Sequence, residues 1–201
     1  MTEFEHIIST RYAAAELAGA LMIGKWARRT SDPYLCSQFI WHCYEEARHA
    51  MLWNQLLTDV DRLPHLVHRE SGEHYFAFVE EAQDDIDCLA FIHAYELRVP
   101  FHLNIAADLD IFSEPTQALM RQLVKEEDGH LSWVAEYCRK QQADDSTRVA
   151  EAMEKFGTIE ERTYREYIPA LQSMPGEFKV LGDALAAHVD EYDQPWKEFI
   201  A

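Results

Sequence analysis

Nowhere in the 201 residues is there an apolar run of about eighteen residues, so no ordinary membrane-spanning helix is expected. Glycine and proline are scarce, at seven each. With Ala, Leu, Glu, Gln and Arg abundant, that scarcity favours helices, and the expected class is all-α. Basic residues are also in short supply, 18 against 36 acidic ones, which leaves a formal charge of -18. Such a surface repels phosphate backbones and anionic lipid, so neither a nucleic-acid nor a membrane partner is expected. The four cysteines, Cys36, Cys43, Cys88 and Cys138, form no C-x-x-C pair and read as free thiols in a reducing compartment. No basic segment followed by an apolar stretch opens the sequence, and the expected location is cytoplasmic. With 48% apolar and 27% charged residues, the composition fits a single soluble domain over residues 1–201.

What the sequence does contain is a pair of matched half-sites. Glu16 is followed thirty residues later by Glu46-Ala47-Arg48-His49, and Glu96 thirty-one residues later by Glu127-Asp128-Gly129-His130. Positions i and i+3 share a helix face, so Glu46/His49 and Glu127/His130 can each chelate from one turn. Each pair sits mid-helix among apolar or small residues, where a carboxylate and an imidazole are costly unless bound to something. Each is also preceded, one helix upstream, by a lone Glu in register. Four carboxylates and two imidazoles can hold two first-row metal ions, with iron the usual occupant. Part of the acidity is then local, because four converging carboxylates repel one another until divalent ions neutralise them. A third Glu-x-x-His, Glu3-Phe4-Glu5-His6, has no such partner and reads as a decoy.

The first helix is expected from about Thr10 to Arg29, with Tyr12, Ala13, Gly19, Ala20 and Ile23 on the face of Glu16. Ser31-Asp32-Pro33 gives a cap followed by a first-turn proline, opening a second helix that runs to about Val60. There Phe39, Cys43, Ala50 and Trp53 flank Glu46. Residues 61–83, with Pro64 and Ser71-Gly72, are too long for a hairpin loop and suit a long crossover, with a short helix over Tyr75–Ala82. The third helix is expected from about Asp84-Asp85 to Asp110, with a kink at Pro100 one turn beyond Glu96. Ser113-Glu114-Pro115 opens a fourth, reaching about Gln142. After Asp144-Asp145-Ser146, two or three shorter helices are expected over about 144–199, broken at Gly157, at Ser173-Met174-Pro175-Gly176 and at Pro195, and packed outside the bundle.

Other residues carry two readings each. Tyr12 is either a hydrogen-bond donor or redox group beside Glu16, or a core tyrosine with a satisfied hydroxyl. His93 is either an extra ligand or proton relay one turn before Glu96, or a satisfied core histidine. Gly129 either makes room for substrate, dioxygen or a helical bulge, or admits a neighbouring helix. His65, His68 and His74 lack the cysteines or rigid frame of a zinc site. Trp26, Trp41, Trp53 and Trp133 read as core or helix contacts.

Over roughly residues 10–142 the sequence resembles the ferritin-like superfamily of di-iron carboxylate proteins. Glu45-Glu46-Ala47-Arg48-His49 is similar to the acidic-Glu-x-Arg-His motif of di-iron oxygenases, desaturases and rubrerythrin-type proteins. The second copy keeps Glu126 but has Gly129 in place of Arg. The resemblance implies a four-helix bundle with a long crossover between helices 2 and 3, plus the extra C-terminal helices. It implies metal ligands at Glu16, Glu46, His49, Glu96, Glu127 and His130, with Glu45 and Arg48 orienting the ligating histidine. The expected cofactor is two iron ions, Fe/Fe or alternatively Mn/Fe. The expected activity is that of a di-iron oxidase or oxygenase using O2 on a small organic substrate, with an external ferredoxin or reductase supplying electrons. A monomer or homodimer is expected. The rival reading is iron handling: a ferroxidase or storage protein, or a rubrerythrin-like peroxidase.

Overall fold

An N-cap starts the first helix: Thr2 Oγ1 accepts from the Glu5 backbone N–H at 3.1 Å. The structure is a computed structural model that describes residues 1–57, 81–192 and 195–200. The described residues form six α-helices and two short 3-10 segments, with no strand among them. They are α1 (Glu3–Ala27), α2 (Pro33–Leu56), α3 (Asp85–Ala107), α4 (Glu114–Asp144), α5 (Ser146–Gln172) and α6 (Glu177–His188), followed by 3-10 turns at Val189–Glu191 and Pro195–Phe199. None of the described helices is long and apolar enough to cross a membrane. The crossover with its short helix at Tyr75–Ala82, and His65, His68 and His74, lie outside the described residues except for 81–83.

The chain divides into two compact units, Met1–Asp85 and Ile86–Ala201. In the first, α1 and α2 form an antiparallel pair. Tyr12 packs against Trp53, Gly19 meets Glu46, Gly24 meets Cys43, and the Cys36 thiol donates to the Ala27 carbonyl. Contacts thus climb α1 as they descend α2. The turn between them is set by Asp32, whose carboxylate accepts from the Tyr34 and Leu35 N–H groups at 2.7 and 3.3 Å, ahead of Pro33 at the first helical position.

In the second unit, α3 and α5 run parallel, with Phe91 on Phe156, Arg98 on Glu160 and His102 on Tyr164. α4 runs the other way, since its Arg121 donates to the Ala107 carbonyl while His130, nine residues on, meets Glu96. The buried Glu160 carboxylate lies 2.8 Å from the Arg98 guanidinium and 3.5 Å from the Tyr192 hydroxyl. This neutralises a charge that would otherwise cost several kcal/mol. The cysteines lie in helices and are free thiols.

Several expectations need correction. α1 begins at Glu3 rather than near Thr10, because Thr2 caps it. α2 ends at Leu56 rather than near Val60, since Leu57 is already extended (φ -75, ψ 137). Gly157 breaks nothing: α5 runs through it for 27 residues. The Trp196 ring is the reason for a glycine there, because a Cβ at 157 would lie 2.3 Å from its Cδ2 atom. Trp41 is 42% exposed rather than core, whereas Trp26, Trp53 and Trp133 are buried. The other breaks hold: α5 ends at Gln172, and Gly176, at φ +67, occupies the left-handed region that favours glycine.

Two predictions follow from this packing. Gly157→Ala forces the ring of Trp196 aside and is expected to cost about 1–3 kcal/mol in urea unfolding; an unchanged midpoint would show that the indole does not rest there. The second concerns pH. Burial, reinforced by Arg98, pushes His102 down to about 3, and burial with Arg139 pushes His93 down to about 4. An unfolded histidine titrates near 6.5, so below that pH the unfolded chain takes up protons that the folded one refuses. Stability is therefore full above about pH 6.5 and falls on acidification, by up to about 1.4 kcal/mol per pH unit for each histidine. His102→Gln should remove one histidine's share of that slope. An identical slope in the variant would mean that the ring is already protonated in the fold.

Candidate metal centre

α2 places His42, Glu46 and His49 four and then three residues apart, so all three lie on one helix face. All are buried: Glu46 is 3% exposed, and His42 and His49 are completely enclosed. The Glu46 Oε1 atom is 3.6 Å from His42 Nε2 and 3.9 Å from His49 Nδ1. Across the pair, Glu16 of α1 brings its Oε2 atom to 3.9 Å from His49 Nδ1. Glu16, Glu46 and His49 therefore each offer a ligand atom within 4.8 Å of the others.

Two neighbours fix these carboxylates. The Trp53 indole N–H donates to Glu16 Oε1 at 3.4 Å, and the Tyr12 ring packs against that indole, tilted at 51° with ring centroids 4.9 Å apart. Gly19 gives Glu46 its seat, since a Cβ there would stand 3.1 Å from Glu46 Oε2. Glu45 and Arg48 are half-buried and paired with each other, Arg48 Nη2 donating to Glu45 Oε2 at 2.6 Å.

In the second unit, α3 contributes Glu96 and α4 contributes Glu127 and His130, all buried. His130 Nδ1 is 2.9 Å from Glu127 Oε2 and 3.7 Å from Glu96 Oε2. Pro100 stands inside α3, one turn after Glu96, and its missing N–H deprives the Glu96 carbonyl of its intrahelical donor. The helix nevertheless continues to Ala107. Gly129 is exposed, so it opens no space in the core around Glu127 and His130.

His93 is buried but turned elsewhere. Its ring meets Phe199 edge-on at 5.5 Å and lines a cleft of about 520 Å³ with Leu97, Leu131, Ala135 and Arg139. Among the described residues it is in neither group of side chains able to hold an ion.

The sequence reading thus missed His42 as a neighbour of Glu46 and Trp53 as a hydrogen-bond donor to Glu16. Both signals were present. His42 lies four residues before Glu46, and Trp53 lies seven after it, on the same face.

The donor set fits a cation. Glu96 and Glu127 both lie against the one imidazole of His130, and carboxylate oxygens and imidazole nitrogens are all able to ligate a metal ion. Two donors bound to one ion at about 2.1 Å lie about 3.0 Å apart at a right angle and about 4.2 Å apart in line. The carboxylate–imidazole separations, 2.9 to 3.9 Å, fall essentially within that range. Glu16, Glu46 and His49 are thus buried Glu and His side chains that could hold a metal ion, and Glu96, Glu127 and His130 are among the other described residues able to contribute a ligand atom to one. Comparison with protein-family models, curated proteins and solved structures found no match for the chain.

Gly19→Ala tests the seating of Glu46. Alanine suits a helix interior better than glycine by about 0.5–1 kcal/mol, so the metal-free chain should not lose stability. The displaced carboxylate should weaken divalent-ion binding by about tenfold in calorimetric titration. Undiminished affinity would show that Glu46 takes no part in binding.

Proposed function

We propose that the two groups are used together, as the halves of one dinuclear iron centre in a ferritin-like di-iron carboxylate protein, and that the centre activates O2 to oxidise a small organic molecule. The observation that carries this reading is the repetition within each unit. In both, a lone buried Glu from one helix and a buried Glu-x-x-His from the next converge on a single imidazole. Mixed carboxylate and imidazole ligands suit redox-active iron or manganese, and few protein ligands per ion leave positions open.

Ferrous ions, when bound, supply electrons for the reduction of dioxygen. The chain's own residues hold and orient. Glu16 is held by the Trp53 N–H, Glu46 is seated on Gly19, and Glu127 and His130 act from one turn of α4. Their burial keeps water from the ligand atoms and strengthens every charge interaction there. A turnover that consumes more electrons than two ferrous ions provide draws them from an external ferredoxin or reductase. The net charge of -18 disfavours a nucleic-acid substrate.

The test is anaerobic addition of two equivalents of Fe(II) followed by O2, with visible absorption recorded alongside candidate substrates. Two irons should bind per chain, and one class of compound should hasten the decay of a transient band. Progressive uptake of many irons per chain would instead establish storage. His49→Ala and Glu127→Ala, one in each unit, should each abolish stoichiometric binding of two ions while leaving helix content intact. Full loading in both variants would overturn the shared centre.

A further inference from the structure

We propose that His42 is a metal ligand in its own right, a third imidazole that makes the centre nitrogen-rich on the α2 side; this rests on the dinuclear reading above. His42 is fully enclosed, and its Nε2 atom is 3.6 Å from Glu46 Oε1, closer than the 3.9 Å between that oxygen and His49 Nδ1. It also belongs to a buried group of His and Glu side chains with ligand atoms close enough for one ion. By distance and burial, His42 therefore has as strong a claim on an ion beside Glu46 as His49 has.

His42 and His49 do not compete for one position. Seven residues separate them, or about 10.5 Å along the helix axis at 1.5 Å per residue. With Glu46 between them, the two rings reach the same carboxylate from successive turns, one from each side. α2 thus supplies an imidazole on each flank of Glu46, whereas α4 supplies one imidazole in all, at His130. A third imidazole adds a nitrogen donor, lowers the negative charge on the centre where it stands in place of a carboxylate, and favours the later first-row ions, which bind nitrogen more tightly. The alternative role for His42 is purely positional, as a hydrogen-bond partner that steers Glu46.

The two roles separate in His42→Gln and His42→Ala. Glutamine keeps an N–H donor for Glu46 but is a far poorer ligand, so it restores a positional role and not a coordinating one. Fe(II) affinity, measured anaerobically by titration, should fall at least about tenfold in both variants for one of the two ions. X-ray absorption of the iron-loaded protein should show about three imidazoles per two irons in the wild type and about two in either variant. His188→Gln, at an exposed histidine paired with Glu191, serves as the control and should change neither measurement. Circular dichroism of the metal-free chains checks that the variants fold. Wild-type affinity and imidazole count in His42→Gln would overturn the assignment while leaving the dinuclear centre standing. A wild-type chain that takes up no iron would overturn both.

Discussion

Burying carboxylates in the middle of helices is the constraint on which this structure turns. An unpaired carboxylate in a protein interior costs several kcal/mol, so each must meet a positive group or give up its charge. The second unit shows two ordinary solutions. Glu160 is set against Arg98 and Asp87 against Arg148, each a buried acid with a guanidinium beside it. Glu96 and Glu127 are treated differently, sharing the one imidazole of His130. In the first unit Glu16 and Glu46 likewise share His49, with His42 on the far side of Glu46. Imidazoles are weaker counter-charges than guanidinium groups but far better metal ligands. The chain uses arginine where an acid needs neutralising and histidine where several acids converge. That division of labour is the physical ground for reading the second kind of cluster as a cation site.

Much of this was legible because helix signals and ligand spacing are local. Asp32-Pro33, Ser113 before Pro115, and Asp145 all mark helix starts that the structure contains. The placing of Glu46 with His49, and of Glu127 with His130, needed only the i, i+3 geometry of a helix. The misreadings have equally definite causes. Thr2 caps the first helix through the Glu5 N–H, a start signal that lies well ahead of the first positions read as the face of Glu16. Gly157 looked like a breaker, yet its role is to admit the indole of Trp196, which lies far along the chain and leaves no local trace. Trp41 was read with the other tryptophans as a core or helix-contact residue, although it lies on the exposed side of α2. His42 was readable, because its offset of four places it on the same helix face as Glu46, among the apolar residues Phe39, Ala50 and Trp53.

The way α3 is held explains how it presents a buried acid despite an internal proline. At about 100° per residue, Arg98 and His102 lie within about 40° of each other and some 200–240° around the helix from Glu96. That far side is clamped to α5, by Arg98 against Glu160 and by His102 hydrogen-bonded to Tyr164 at 3.3 Å. The clamp brackets Pro100, which removes one backbone hydrogen bond from between its two anchor points. Side-chain anchors on one face thus take over part of the work of the missing backbone bond, and the opposite face remains available to Glu96. His102 can serve as an anchor because it stays neutral, and burial among tyrosines keeps it so. A histidine that held its proton there would add a second positive charge beside Arg98 and weaken the clamp. Depressed basicity at His102 and the setting of His130 among carboxylates, where it could hold a metal ion, therefore follow one rule: what an imidazole can do in this fold is set by whether its neighbours are guanidinium and phenol groups or carboxylates.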